Sequence, residues 1–177
     1  MTTLEELDSR LRILEDIHAI TQLKHRYFRL LDHQDWDELR ECFTEDVSTH
    51  YENGHYTFDG IDEVMRFLSE SLSGLRAAGR WGLHLGHHPE IELMSATEAR
   101  GRWTLHAVSF DRKGERAGRQ ESFYADEYRK LDGEWRIRRT GYTGYITGSW
   151  HAGDLSTVVG DEADSRDLNA SARASAS

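Results

Sequence analysis

Residues 27–39 read Tyr27-Phe28-Arg29-Leu30-Leu31-Asp32-His33-Gln34-Asp35-Trp36-Asp37-Glu38-Leu39. Working backwards from Tyr27, the apolar residues Leu23, Ile20, Ile17, Leu14, Leu11, Leu7 and Leu4 recur every three or four positions, the spacing of one helical face. Thr3 followed by Glu6 has the pattern of a capping box. The spacing therefore predicts a long amphipathic helix that ends near Asp32. Its first two turns also fit a separate helix, or an arm packed against another subunit. Working forwards, Asp35 suits the positive end of a second, short helix from about Trp36 to Phe43.

Val47–Tyr51 and Tyr56–Phe58 then flank Glu52-Asn53-Gly54-His55, which predicts a hairpin with an Asn-Gly turn. Ile61, Val64, Met65, Leu68 and Leu72 mark a third helix, about Ile61 to Leu75. The remainder reads as strands. His84–Leu85 leads through Gly86-His87-His88-Pro89 into Ile91–Met94, and Arg100–Phe110 alternates as one long strand. A polar loop, Asp111–Gln120, precedes Phe123–Leu131, and an Asp132-Gly133 turn leads into Trp135–Tyr142. Helices first and strands afterwards give an α+β class, not α/β. Three N-terminal helices laid on a strongly curved, mixed and mostly antiparallel sheet would enclose a pocket in a cone-shaped domain. Residues 1–160 are read as this single domain. Residues 161–177, rich in Asp, Ser and Ala without aromatics, read as a frayed tail.

A length of 177 residues suffices to bury one sizeable core. A net charge of −10 with no basic stripe argues against nucleic acid or an anionic membrane as partner. The single cysteine, Cys42, excludes an internal disulfide and a multi-cysteine zinc site. The acidic, periodic N-terminus is unlike a secretory signal, so the Asn169-Ala170-Ser171 sequon reads as chance and the expected location is the cytoplasm.

Four residues stand out for chemistry: Tyr27, Asp32, Tyr51 and His84. On pattern alone Asp32 reads first as a cap or a solvated helix end, and His84, between Leu83 and Leu85, as a satisfied core histidine. His84, His87 and His88, with His106, raise the question of a metal site. His87 would oppose the other two on a strand, and no zinc-protease helix motif accompanies them, so no metal is expected. Gly141, Gly144 and Gly148 lack the spacing of a dinucleotide loop, and no cofactor is expected. Tyr124 and Arg139, on the late strands, are further candidates to line a pocket; Arg139 equally suits a solvated strand.

Tyr27–Leu39, Leu83-His84-Leu85-Gly86-His87 and Tyr128-Arg129-Lys130-Leu131-Asp132-Gly133-Glu134-Trp135 together resemble the NTF2-like, or SnoaL-like, family over residues 10–150. Among its enzymes the resemblance is to bile acid 7α-dehydratase, and more distantly to scytalone dehydratase and hexachlorocyclohexane dehydrochlorinase. The resemblance implies that Asp32 and His84 match the family's dyad, that Tyr27 matches a catalytic tyrosine, and that Tyr51 matches a pocket tyrosine. A further catalytic aspartate of the bile acid enzyme corresponds to Ala107 here, with His106 beside it. The substrate's polar groups are then expected to meet Tyr27, Tyr51 or His106, with Tyr124, His87 and Arg139 completing the binding set.

A carboxylate on Nδ1 of His84 would leave Nε2 as a base, and such a dyad can take a carbon-bound proton and return it to a departing hydroxyl. The implied activity is a cofactor-independent dehydratase acting on a hydrophobic hydroxylated ring such as a steroid or polyketide. Isomerisation or cyclisation by the same dyad is the alternative within enzymes. A ligand-binding module or a β-subunit-like partner of an oxygenase is the alternative outside them. The expected assembly is a homo-oligomer, a dimer or trimer.

Overall fold

The computed structural model describes residues 2–111 and 116–151, so the tail 161–177 lies outside the described residues. Thr3 caps α1 (Leu4–His33) through the full capping box: its side chain accepts the Glu6 N–H, and the Glu6 carboxylate accepts the Thr3 N–H. The helix is continuous over 30 residues, so its first turns are no separate segment; Leu4, Leu7, Leu11 and Leu14 stay exposed along them. At the far end Gln34 turns left-handed, at φ 64°. The backbone N–H groups of Gln34 and Asp35 then bond back to Leu31 and Leu30, which stops the helix.

The elements that follow are α2 (Trp36–Arg40), β1 (Phe43–His50), α3 (Ile61–Ala77), β2 (Arg80–Leu93), β3 (Glu98–Asp111), β4 (Arg116–Leu131) and β5 (Glu134–His151). The second helix ends at Arg40 and not at Phe43, because Phe43 is buried in β1 as the partner of Ile137. The expected Asn-Gly hairpin is reduced to a Tyr51↔Tyr56 bridge around the 3-10 turn Glu52–Gly54. The Asp132-Gly133 turn has φ 52° and 87°, positive at both central residues as a type I′ hairpin requires.

The strands form one sheet of order β1-β5-β4-β3-β2, with β1 parallel to β5 and every other pair antiparallel. Two expected interruptions vanish into this ladder. Gly86–Pro89 is a bulge within the continuous strand β2, with His88 at φ 51°. Pro89 is tolerated because β2 is an edge strand. Arg116–Gln120, expected in a polar loop, pairs on both sides, with Ala107–Asp111 and with Thr147–His151. A central strand held at both edges overrides a polar composition. The helices cover one face, α1 against β2 and β5, α3 against β1 and β2. On the other face Leu83, Leu85, Phe123 and Ile146 are exposed. Among the described residues no helix is long and apolar enough to cross a membrane.

Within the core sits a full ion pair. Lys24 Nζ lies 2.8 Å from Asp126 Oδ2, both side chains have no solvent exposure, and the ammonium stands 3.8 Å from the centre of the Tyr124 ring. Asp126 also accepts hydrogen bonds from the Thr140 and Tyr128 hydroxyls at 2.7 and 2.8 Å, and Tyr128 in turn accepts from Trp103. Burial lowers the Lys24 pKa, and Asp126 opposes that shift. The pair fixes the rotation of α1 against β4 and β5. Asp126→Asn should leave Lys24 as an uncompensated buried charge and cost about 3–5 kcal/mol. Urea denaturation checks it, and a loss below about 1 kcal/mol would show that the pair is not structural.

Candidate active site

Asp32 lies two turns beyond Lys24 on α1, in the last turn of the helix, facing the edge strand β2. An edge strand has backbone N–H groups without a neighbouring strand to accept them. Asp32 meets one of them: its Oδ2 accepts the His84 backbone N–H at 3.0 Å, and its Oδ1 lies 2.6 Å from His84 Nδ1. A carboxylate only accepts, so the short contact makes Nδ1 the protonated nitrogen and leaves Nε2 free. The Asp32 backbone carbonyl accepts a hydrogen bond from Arg76 of α3 at 2.9 Å, and the Arg76 guanidinium stacks on Trp81. Gln34 ties the same helix end to α3 through the Leu72 carbonyl. The helix end, the third helix and the edge strand thus meet at one residue, Asp32, α3 at its backbone carbonyl and β2 at its carboxylate.

The face of the His84 ring is covered by Phe28, stacked at 9° with centroids 6.3 Å apart. The Phe28 ring occupies the space that a Cβ on Gly86 would need. Behind Phe28 lies a group of phenols. Tyr27 and Tyr51 share a hydrogen bond of 3.3 Å between hydroxyls, and Tyr124 packs against Phe28 and Tyr142. Tyr27, Tyr51 and Tyr124 are all buried. Burial holds each phenol well above its ordinary pKa, neighbouring phenols add to this for Tyr27 and Tyr124, and Asp126 adds for Tyr51 and Tyr124. These hydroxyls are neutral donors and not bases.

A cavity of about 450 Å³ opens beside Asp32 and His84. Directly paired residues of an antiparallel sheet share a face, and the register sets His84, Ala107, Gln120 and Thr147 in one row along its wall. The next row outward is Gly82, Ser109, Gly118 and Ser149, a floor of small side chains. His106 is one residue out of phase. It pairs with Leu85 and Glu121 on the opposite face, its Nδ1 3.9 Å from Glu121, and is not among the cavity's residues. His87 and Arg139 are exposed and also lie away from the cavity. Tyr27, Tyr51 and Tyr124 belong to the core behind Phe28 and do not line it. The structure therefore joins Asp32 with His84, and Tyr27 with Tyr51, as two groups that Phe28 contacts on either side.

The polar groups that do line the cavity near His84, Gln120 and Thr147, went unnoticed in the sequence. Gln120 falls in the stretch read as a loop, and Thr147 lies past the end expected for the last strand. Period-two alternation carried back from Phe123 and on from Tyr142 was the available signal. Among the described residues no group of three or more His, Cys, Asp or Glu side chains is placed to hold a metal ion.

Residues 12–141 match the family model described as SnoaL-like domain. The chain belongs to the SnoaL-like family. Solved structures agree with the NTF2-like architecture. A candidate scytalone dehydratase from Novosphingobium aromaticivorans superposes with a TM-score of 0.70 at 26% identity, over 79% of this chain and 91% of that one. An NTF2-like protein with a cystatin-like fold from the same organism matches at 24% identity and a TM-score of 0.70, over 81% and 91% of the two chains. A type 2 hexachlorocyclohexane dehydrochlorinase matches at 19% identity and a TM-score of 0.70, over 80% and 93%. The last two likenesses show the fold alone. In this SnoaL-like chain the sheet stays open, with β1 and β2 as its edges.

Because Phe28 fills the place of a side chain at residue 86, Gly86→Ala should displace the ring from His84. The expected cost is about 1–3 kcal/mol, typical of overpacking, together with a shift of the His84 ring-proton resonances. Unchanged stability and an unchanged His84 spectrum would show that Gly86 does not set the ring's position.

Proposed function

We propose that the protein is a cofactor-independent lyase that eliminates water from a hydrophobic, hydroxylated ring substrate bearing a carbonyl group. The observation that carries this reading is the 2.6 Å contact of Asp32 with His84 Nδ1 on the wall of a cavity. Nε2 of His84 takes the proton from the carbon beside the carbonyl, and the C–H electron pair moves into an enolate. Those electrons then form the new double bond as the C–O bond breaks, and the imidazolium returns its proton to the leaving hydroxyl, releasing water. Asp32 stabilises the imidazolium between the two steps and keeps the ring oriented.

The enolate oxygen needs hydrogen-bond donors as its charge develops. Gln120 and Thr147, in the row of His84, stand where the Ala107 side chain supplies none. The Tyr27–Tyr51 pair lies behind Phe28 and backs the ring that stacks on His84. The likeness to a candidate scytalone dehydratase at 26% identity supports elimination. Double-bond isomerisation starts with the same proton abstraction and is the second reading that this dyad favours.

Turnover of a panel of cyclic β-hydroxy ketones, followed by enone absorbance, tests the proposal. His84→Gln and Asp32→Asn should each lower it roughly 10²–10⁴-fold while the fold survives. A folded His84→Gln protein with near-normal turnover would remove the histidine from the mechanism. The acid–base apparatus is organic throughout, so dialysis against EDTA should leave turnover intact. Activity lost to the chelator and restored by zinc would reverse the metal-free reading.

A further inference from the structure

Outward from the small-residue floor the register places one more row on the cavity face: Arg80 of β2, Asp111 of β3 and Arg116 of β4. All three line the cavity, as does Arg76 from the last turn of α3. The charge here runs against the rest of the chain. Acidic residues exceed basic ones overall, 32 to 22, whereas among the described residues the guanidinium groups of Arg76, Arg80 and Arg116 stand beside one carboxylate, Asp111, at this mouth. Asp111 Oδ2 lies 3.7 Å from Arg80 Nε, and Arg116 donates to the Ser149 hydroxyl at 3.1 Å, a neutral partner. Arg119 also lines the cavity, but its Nε is bonded to the Glu121 carboxylate, which offsets its charge.

We infer that the cavity mouth is a carboxylate subsite, so that the substrate is an amphiphile with its reacting carbon at His84 and an anionic carboxylate held by Arg80 and Arg116. This deepens the lyase reading of the same cavity and rests on it for the position of the reacting carbon. Guanidinium forks match carboxylate oxygens in pairs, which orients as well as binds. The floor between the dyad and the arginines carries only glycine and serine, leaving room for a flat ring to span the two ends. In a chain of net charge −10 a local positive field also guides the ring into the mouth carboxylate-last. Asp111 within the row selects against a dianion, and so favours a carboxylate over a phosphate.

Binding of 2-naphthoate, 2-naphthamide and 2-naphthyl phosphate to the whole protein, by titration calorimetry at low salt, tests the subsite without any turnover. The naphthoate should bind at least tenfold more tightly than the amide, and no more weakly than the phosphate. The gap between naphthoate and amide should fall below about twofold in Arg80→Gln/Arg116→Gln, and persist in Arg80→Lys/Arg116→Lys and in Arg139→Gln, an exposed arginine away from the cavity. It should also persist in His84→Gln, which separates this subsite from the dyad: loss there, with retention in the double glutamine variant, would place the carboxylate on the histidine and overturn the inference. Equal binding of acid and amide by the wild type, absence of naphthoate binding at millimolar concentration, or tighter binding of the phosphate would each overturn it as well.

Discussion

A lysine with no solvent exposure sets the position of the first helix. Lys24 is held by Asp126 from β4 and by the ring of Tyr124, and its helix cannot rotate without stranding the charge. Phe28 and Asp32 follow at one and two helical turns, so the ion pair also aims the ring that covers His84 and the carboxylate that grips it. A buried ion pair is weak evidence of net stabilisation, because desolvation of both charges offsets their attraction. Its effect here is to specify register.

Asp32 has two structural tasks beyond any chemistry. With one oxygen it satisfies a backbone N–H of an edge strand, and with the other it fixes the tautomer of the side chain on that same residue. The His84 backbone and ring are therefore held by one group, and the ring cannot drift relative to the strand that carries it. Arg76 and Gln34, bonded to α1 and α3 groups at the same helix end, keep the aspartate where the strand needs it. Phe28 then divides the interior into a side with the cavity and a side with the buried phenols.

Much of this was legible in the sequence because the signals were local. The capping box, the stripe from Leu4 to Tyr27, the third helix from Ile61 and the Asp132-Gly133 turn depend on neighbours a few residues apart. Asp32 and His84 were legible only through the resemblance, since neither differs in pattern from a cap and a core histidine. What sequence could not supply was register. His106 and Ala107 differ by one residue and face opposite sides, and which of them sees the cavity is decided by pairing with β2 and β4. Lys24 was invisible for a related reason: it sits next to Leu23 on the buried face, and its partner lies across the sheet. The strand at Arg116–Gln120 was masked by its polar composition.

The parallel pairing of β1 with β5 has a temporal side. Phe43 and His50 find their strand partners in Ile137 and Gly141, near the end of the described chain, and Lys24 reaches Thr140 across a separation of 116 residues. The Asp32–His84 contact closes a loop of only 52. Contacts of long sequence separation form slowly because loop closure must precede their benefit. During synthesis the helix end and the edge strand emerge together, long before β5 supplies Thr140, Thr147 and Ser149. A chain halted short of β5 holds both members of the Asp32–His84 pair and yet lacks Thr147 and Ser149, which complete the cavity's wall and floor.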